Sequence, residues 1–134
     1  MITSFYAGIL GILLTLISWE TILVRRKLKI SLGMGENNEI AHLVSAHSNF
    51  CSYTAIMLIL LYFAETSHDF HFLLIHLLGL MFTIGRFYHY FAFRSGKVKF
   101  KYRVRGMRLT LIPLVVLSLL NLYSYILKIG HFIA

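Results

Sequence analysis

The chemistry available to this 134-residue chain lies in polar side chains set at helical spacing inside long apolar runs. Within residues 40–64, His42, Ser45, Asn49 and Ser52 recur at steps of three and four, so on a helix they share one face, with His47 and Ser48 to its sides. Within residues 70–93, Arg86, His89, Tyr90 and Phe93 share a face in the same way. Hydroxyls, an amide and imidazoles can orient a ligand, and a guanidinium can hold a carboxylate or phosphate. Arg86 is the most telling of these residues. An arginine inside hydrocarbon costs ~2.5 kcal/mol or more, so it requires a partner, an aqueous cavity or a bound anion. A structural reading stands beside the functional one. Ser45, Ser48 and Asn49 are the small polar residues that join membrane helices, and a long arginine can reach back toward headgroups.

The elements that must position these residues are four apolar runs, approximately 2–24, 40–64, 70–93 and 107–132. Each is near the ~20 residues that cross a bilayer as a helix. A hydrophobic content of 58% leaves no polar stretch large enough for a separate soluble core. The expected architecture is therefore an all-α integral membrane protein, with residues 1–134 forming one four-helix transmembrane domain. Open strands cannot satisfy their backbone groups in lipid, and the runs are too long for barrel strands. The first run lacks a preceding basic region and ends in Arg25, Arg26 and Lys27, so it reads as a retained helix instead of a cleaved leader. Gly33, Gly35 and Asn37-Asn38 mark the first connection, and Glu36 and Glu39 suit the start of the second helix.

Charge orients the bundle. Arg25, Arg26, Lys27 and Lys29 follow the first run, and Arg94, Lys97, Lys99, Lys101, Arg103, Arg105 and Arg108 surround the third connection. The other side carries Glu65, Asp69 and Lys128. The positive-inside rule places both basic loops in the cytoplasm and both termini outside. A net charge of +8 beside membrane runs signifies topology and contact with membrane lipids, not nucleic acid. The single cysteine, Cys51, rules out an internal disulfide, and no residue cluster has metal-ligand spacing.

The segment from Glu39 to Ile56, with Ala46-His47-Ser48-Asn49-Phe50 at its centre and Tyr53 beyond, and the segment Gly85-Arg86-Phe87-Tyr88-His89-Tyr90 carry a likeness. Together with the four spans they resemble the MAPEG family, membrane-associated proteins in eicosanoid and glutathione metabolism, and most of all its small bacterial inner-membrane members. That resemblance implies a homotrimer in which glutathione, as cosubstrate, lies between neighbouring subunits near the cytoplasmic side. A lipophilic small-molecule substrate would enter from the bilayer, for a transferase or peroxidase reaction. His47, Asn49, Arg86 and His89 match family positions, and Arg25 matches a basic residue ending the first span. Ser45 stands where the family usually has an arginine, Ser52 where it has a glutamate, and Ala55 where it often has a proline, so the expected binding face loses a complementary charge pair. Phe93 stands at the tyrosine that contacts the thiol in several members, with Tyr90 one turn away as a substitute. Arg105 or Arg103, in the loop, is the expected thiolate-stabilising cation. Two other readings remain open: a non-catalytic member whose glutathione site has degenerated and which binds lipid or another ligand, and a haem carrier with His47 or His42 facing His89.

Overall fold

The computed structural model describes residues 1–33, 37–94 and 98–130, with the backbone alone for 131–133. Gly35, Glu36 and Lys97, expected in the connections, lie outside the described residues. Four helices follow one another: α1 (Ile2–Leu28), α2 (Asn38–Thr66), α3 (Phe72–Phe93) and α4 (Phe100–Ile133). Each is long and apolar enough to cross a membrane.

Local chemistry explains where they begin and end. The last turn of α1 carries Arg25, Arg26 and Lys27, whose charge suits the negative end of the helix dipole. Lys29 then turns into the left-handed region at φ 54°, and the Ile30 amide closes back on the Arg25 carbonyl at 3.1 Å. Asn37 caps α2, its side-chain oxygen accepting from the amides of Glu39 and Ile40 at 2.9 and 3.3 Å. His71 does the same for α3, accepting from the Leu73 amide at 3.3 Å.

The fourth helix departs from the hydropathy reading. It starts at Phe100, about two turns before Met107, where the apolar run begins. The Lys99 carbonyl accepts from the amides of Tyr102 and Arg103, so the basic stretch is already wound. Apolar content marks where the hydrocarbon begins, whereas backbone bonding lets a helix continue beyond it into the polar layer. Arg103 and Arg105 thus project from a helix and not from the loop in which they were expected. Pro113 is buried inside α4, which continues through it, leaving the Leu109 carbonyl without its usual helical donor.

Helices α1 and α4 each pack on both α2 and α3, and they do not meet each other among the described residues. Tyr6, Leu10, Leu13 and Ile17 of α1, at steps of three and four, close on Phe50, Met57 and Leu61 of α2 and on Ile75, Leu78 and Phe82 of α3. The tightest approach joins α3 to α4. A methyl group on Gly106 would stand 2.8 Å from the His89 backbone nitrogen and 2.9 Å from the Gly85 carbonyl oxygen, so only glycine admits this crossing. At one end of the bundle, the Glu65 carboxylate accepts the amides of Ile2 and Thr3, fixing the start of α1 to the end of α2. At the other, basic end, Arg94 donates from Nε to Glu20 at 3.0 Å, joining α3 to α1. Large apolar side chains such as Ile12, Trp19, Leu77, Phe87 and Leu119 point outward, as a lipid-facing surface requires.

Candidate functional site

Arg86 is 0% exposed, and three helices converge on it. From α2, the Asn49 side-chain oxygen accepts from Nη1 at 2.9 Å, with the Asn49 carbonyl at 3.5 Å. From α4, Thr110 Oγ1 accepts from Nη2 while donating its own proton to the Gly106 carbonyl at 2.8 Å. The threonine hydroxyl is therefore oriented with its lone pairs toward the guanidinium. The Gly85–Gly106 crossing makes this possible, because it brings α4 close enough for the residue one turn beyond Gly106 to reach α3. Met107 Sδ lies 4.0 Å from Nη2 and 3.8 Å from Asn49 Nδ2. The rings of Phe82 and Tyr53 flank the charge at 5.4 and 5.6 Å. No carboxylate pairs with Arg86 among the described residues, and its Nε is buried without an acceptor. The partner that an intramembrane arginine requires is thus a set of neutral oxygens and ring faces inside the same chain.

One turn toward the basic end, His89 is buried with its ring 5.0 Å from that of Phe93. His42 approaches Phe93 at 6.2 Å, and the Arg103 guanidinium lies over the same ring at 5.8 Å. Phe93 therefore gathers His42, His89 and Arg103. Tyr90 does not join them: it lies under Arg94 at 5.7 Å and packs on the core shared with α1. Arg105 is exposed on α4.

The polar stripe of α2 is divided by the packing. The buried face of that helix runs through Leu43, Ala46 and Phe50, and Asn49 sits at its edge, half-buried and turned to Arg86. Ser45, Ser48 and Ser52 lie roughly a quarter turn or more from the centre of that face and are exposed. The Ser52 hydroxyl donates to the Ser48 carbonyl at 3.0 Å. On the opposite flank, His47 meets Ser18 of α1 at 3.1 Å through Nε2, and Cys51 Sγ stands 3.8 Å from Nδ1. His47 and Arg25 line one open cavity of about 300 Å³ with Ser18, Thr21, Ile22 and Val44. It shares Ile22 and Arg25 with a neighbouring cavity of about 390 Å³ that Arg26 and Lys29 also line. Arg25 Nη1 is buried there without an acceptor among the described residues. His47 therefore faces α1, whereas His89 faces Phe93, so these two histidines do not oppose each other.

Three groups thus emerge from the expected site residues. Asn49, Arg86 and the neighbouring His89 lie inside the helix bundle, Arg25 and His47 share a cavity between α1 and α2, and Ser45, Ser52, Arg103 and Arg105 face outward. Thr110 and Glu20 were missed. The Gly106–Thr110 spacing, four residues on one helical face, was the signal for the first. A glutamate one turn before the basic end of α1 was the signal for the second.

Comparison with known proteins gives a match to the model of the MAPEG family over residues 3–123. The chain is also 27% identical over 123 residues, covering 92% of both sequences, to inner membrane protein YecN of Escherichia coli K12. The same protein from an O6:H1 strain of that species matches to the same extent.

Proposed function

The chain belongs to the MAPEG family, and on that premise we propose that it works as a homotrimer in a bacterial inner membrane. Its basic ends face the cytoplasm and both termini face outward. Glutathione is held at the boundary between subunits, where its thiol is conjugated to a lipophilic electrophile arriving from the bilayer or, two thiols to each turnover, reduces a lipid hydroperoxide to the alcohol and water with release of glutathione disulfide.

The observation that carries this reading is the outward placement of Ser45, Ser52, Arg103 and Arg105, which a single chain leaves without a facing wall. A neighbouring copy supplies that wall. Charge suits the ligand: glutathione is a net anion with two carboxylates, and Arg25, with one buried nitrogen unpartnered among the described residues, offers a cation beside His47. Arg86 acts differently from a ligand clamp. It fixes the Asn49 oxygen and thereby aims the Asn49 amide nitrogen, whose only acceptor among the described residues is the weak Met107 sulfur at 3.8 Å.

Arg103 is the cation for the thiol. A free thiol has a pKa of ~8.5, and a guanidinium nearby favours the thiolate, the attacking form. In conjugation the thiol proton leaves to solvent, a carbon–sulfur bond forms, and the electrophile's leaving group departs with its electron pair. Phe93 has no hydroxyl to donate to the sulfur, so this task falls on the cation at that ring, Arg103.

A second reading, a non-catalytic MAPEG-fold protein with a degenerate glutathione site, is favoured by the neutrality of Ser45 and Ser52 and by the enclosure of Arg86. The two separate in one experiment. The purified protein is titrated with glutathione by calorimetry and then assayed for conjugation of chlorodinitrobenzene, alongside Arg103→Ala. Saturable binding with turnover lost in Arg103→Ala supports the transferase. Absence of binding in the wild type, with binding gained in Ser45→Arg plus Ser52→Glu, supports the degenerate site.

A further inference from the structure

The basic end holds another cavity, which the family-matched residues do not touch. It measures about 530 Å³, opens between the end of α3 and the start of α4, and is lined by Phe91, Arg94, Lys99 and Tyr102. Its two cations stand on constrained supports. The Lys99 amide donates to the Ala92 carbonyl at 2.9 Å, which pins the entry of α4 to the last turn of α3. The Lys99 ammonium lies 5.8 Å from the Tyr102 ring, and that ring lies 5.7 Å from Tyr88. Arg94 rests over Tyr90 and gives only Nε to Glu20, so Nη1 and Nη2 donate to no side chain among the described residues. Phe91, about one turn deeper in the bilayer direction, is exposed on the lipid-facing side of α3.

We propose that this cavity binds the phosphate headgroup of an acidic phospholipid. Arg94 Nη1 and Nη2 and the Lys99 ammonium meet the phosphate oxygens, the Tyr102 hydroxyl donates a further hydrogen bond, and Phe91 packs on the first methylenes of an acyl chain. The arrangement selects an amphiphile, because a free phosphate gains nothing from Phe91 and a plain hydrocarbon gains nothing from the two cations. It selects an acidic lipid over a zwitterionic one, because the headgroup's own ammonium would offset the attraction. Anionic lipids also concentrate where basic side chains flank a bilayer. The inference stands apart from the glutathione reading, since it uses none of that site's residues.

The test is a calorimetric titration of the purified protein in detergent with short-chain phosphatidylglycerol at 0.15 M salt, where charges beyond ~8 Å are screened. Phosphatidylcholine and inorganic phosphate are run separately. Lys99→Gln is compared with Lys27→Gln, which removes the same charge from the same end of the bundle but lines neither the proposed cavity nor its neighbours. Saturable phosphatidylglycerol binding, weakened about tenfold in Lys99→Gln and unchanged in Lys27→Gln, is expected, with weaker binding of phosphatidylcholine. Phe91→Ala should weaken the lipid and leave inorganic phosphate unaffected. Equal losses in the two charge variants would overturn the site in favour of diffuse attraction. Phosphatidylcholine binding as tightly would overturn its charge selectivity, and inorganic phosphate binding as tightly would overturn a lipid as its source.

Discussion

Replacing Thr110 by valine isolates the bond on which the buried arginine depends. Valine matches threonine in shape, so the substitution opens no cavity; it deletes the oxygen that accepts from Arg86 Nη2 and leaves that nitrogen aimed at a methyl group. Bonds between neutral side chains inside a membrane average ~0.6 kcal/mol and reach ~1.7. The Thr110 oxygen accepts from a formal charge that no carboxylate among the described residues shares, so the larger range for charged groups, about 1.5–3 kcal/mol, applies. We expect Thr110→Val to cost about 2 kcal/mol. Thr110→Ser keeps the oxygen and loses only a methyl group, which costs ~0.8 kcal/mol. The assay is equilibrium unfolding in mixed micelles, read by helical circular dichroism. A double-mutant cycle with Asn49→Leu should show coupling, since both acceptors serve one guanidinium. Equal stability losses in Thr110→Val and Thr110→Ser, or strict additivity with Asn49→Leu, would refute the view that these oxygens hold Arg86 in place.

Further outcomes follow from other contacts. Arg86→Lys keeps a charge but cannot present two nitrogens to Asn49 and Thr110, so unfolding measurements should show a loss of ~2–4 kcal/mol. Gly106→Ala should cost about 1–3 kcal/mol by forcing α4 off the His89 backbone, measurable in the same unfolding assay. Asp69, in the connection after α2, is held below its ordinary 3.8 chiefly by the Ser124 hydroxyl, with Lys128 adding to it. A depressed folded value means that its contribution is full above pH 3.8 and is lost as pH falls through the lower folded value. Melting temperatures taken from pH 6 downward should therefore show wild type above Ser124→Ala, with the gap closing in acid. If the transferase reading holds, Arg103→Ala should raise the thiol pKa of bound glutathione, cutting conjugation about tenfold per unit at neutral pH and less at alkaline pH. A rate loss independent of pH would assign Arg103 another role.

The spans were legible because apolar runs longer than twenty residues admit one solution in lipid, and α2 and α3 begin and end within two residues of the expected bounds. The start of α4 was not, since hydropathy reports the hydrocarbon edge and Phe100–Gly106 is wound outside it. Arg86 was recognisable as a residue needing a partner, yet its partner from α4 was not. Thr110 becomes a neighbour only through the Gly85–Gly106 crossing; the four-residue spacing from Gly106 puts both on one face of α4 but does not say which helix that face meets. The stripe on α2 was visible as a stripe, but a helix face is broad enough for Asn49 to turn inward while Ser45 and Ser52 turn out. Tyr90 illustrates the converse: four residues from Arg86 it belongs to the same face by spacing, and packing against α1 and Arg94 takes it elsewhere.

On the proposed reading, the outward-facing residues become a glutathione site only when a second chain covers them. Native mass spectrometry of the protein released from micelles in the presence of glutathione tests it directly, because it reads assembly and ligand together. Trimers carrying glutathione beside bare monomers are the predicted result. Monomers that retain the ligand, or trimers that never acquire it, would contradict the account.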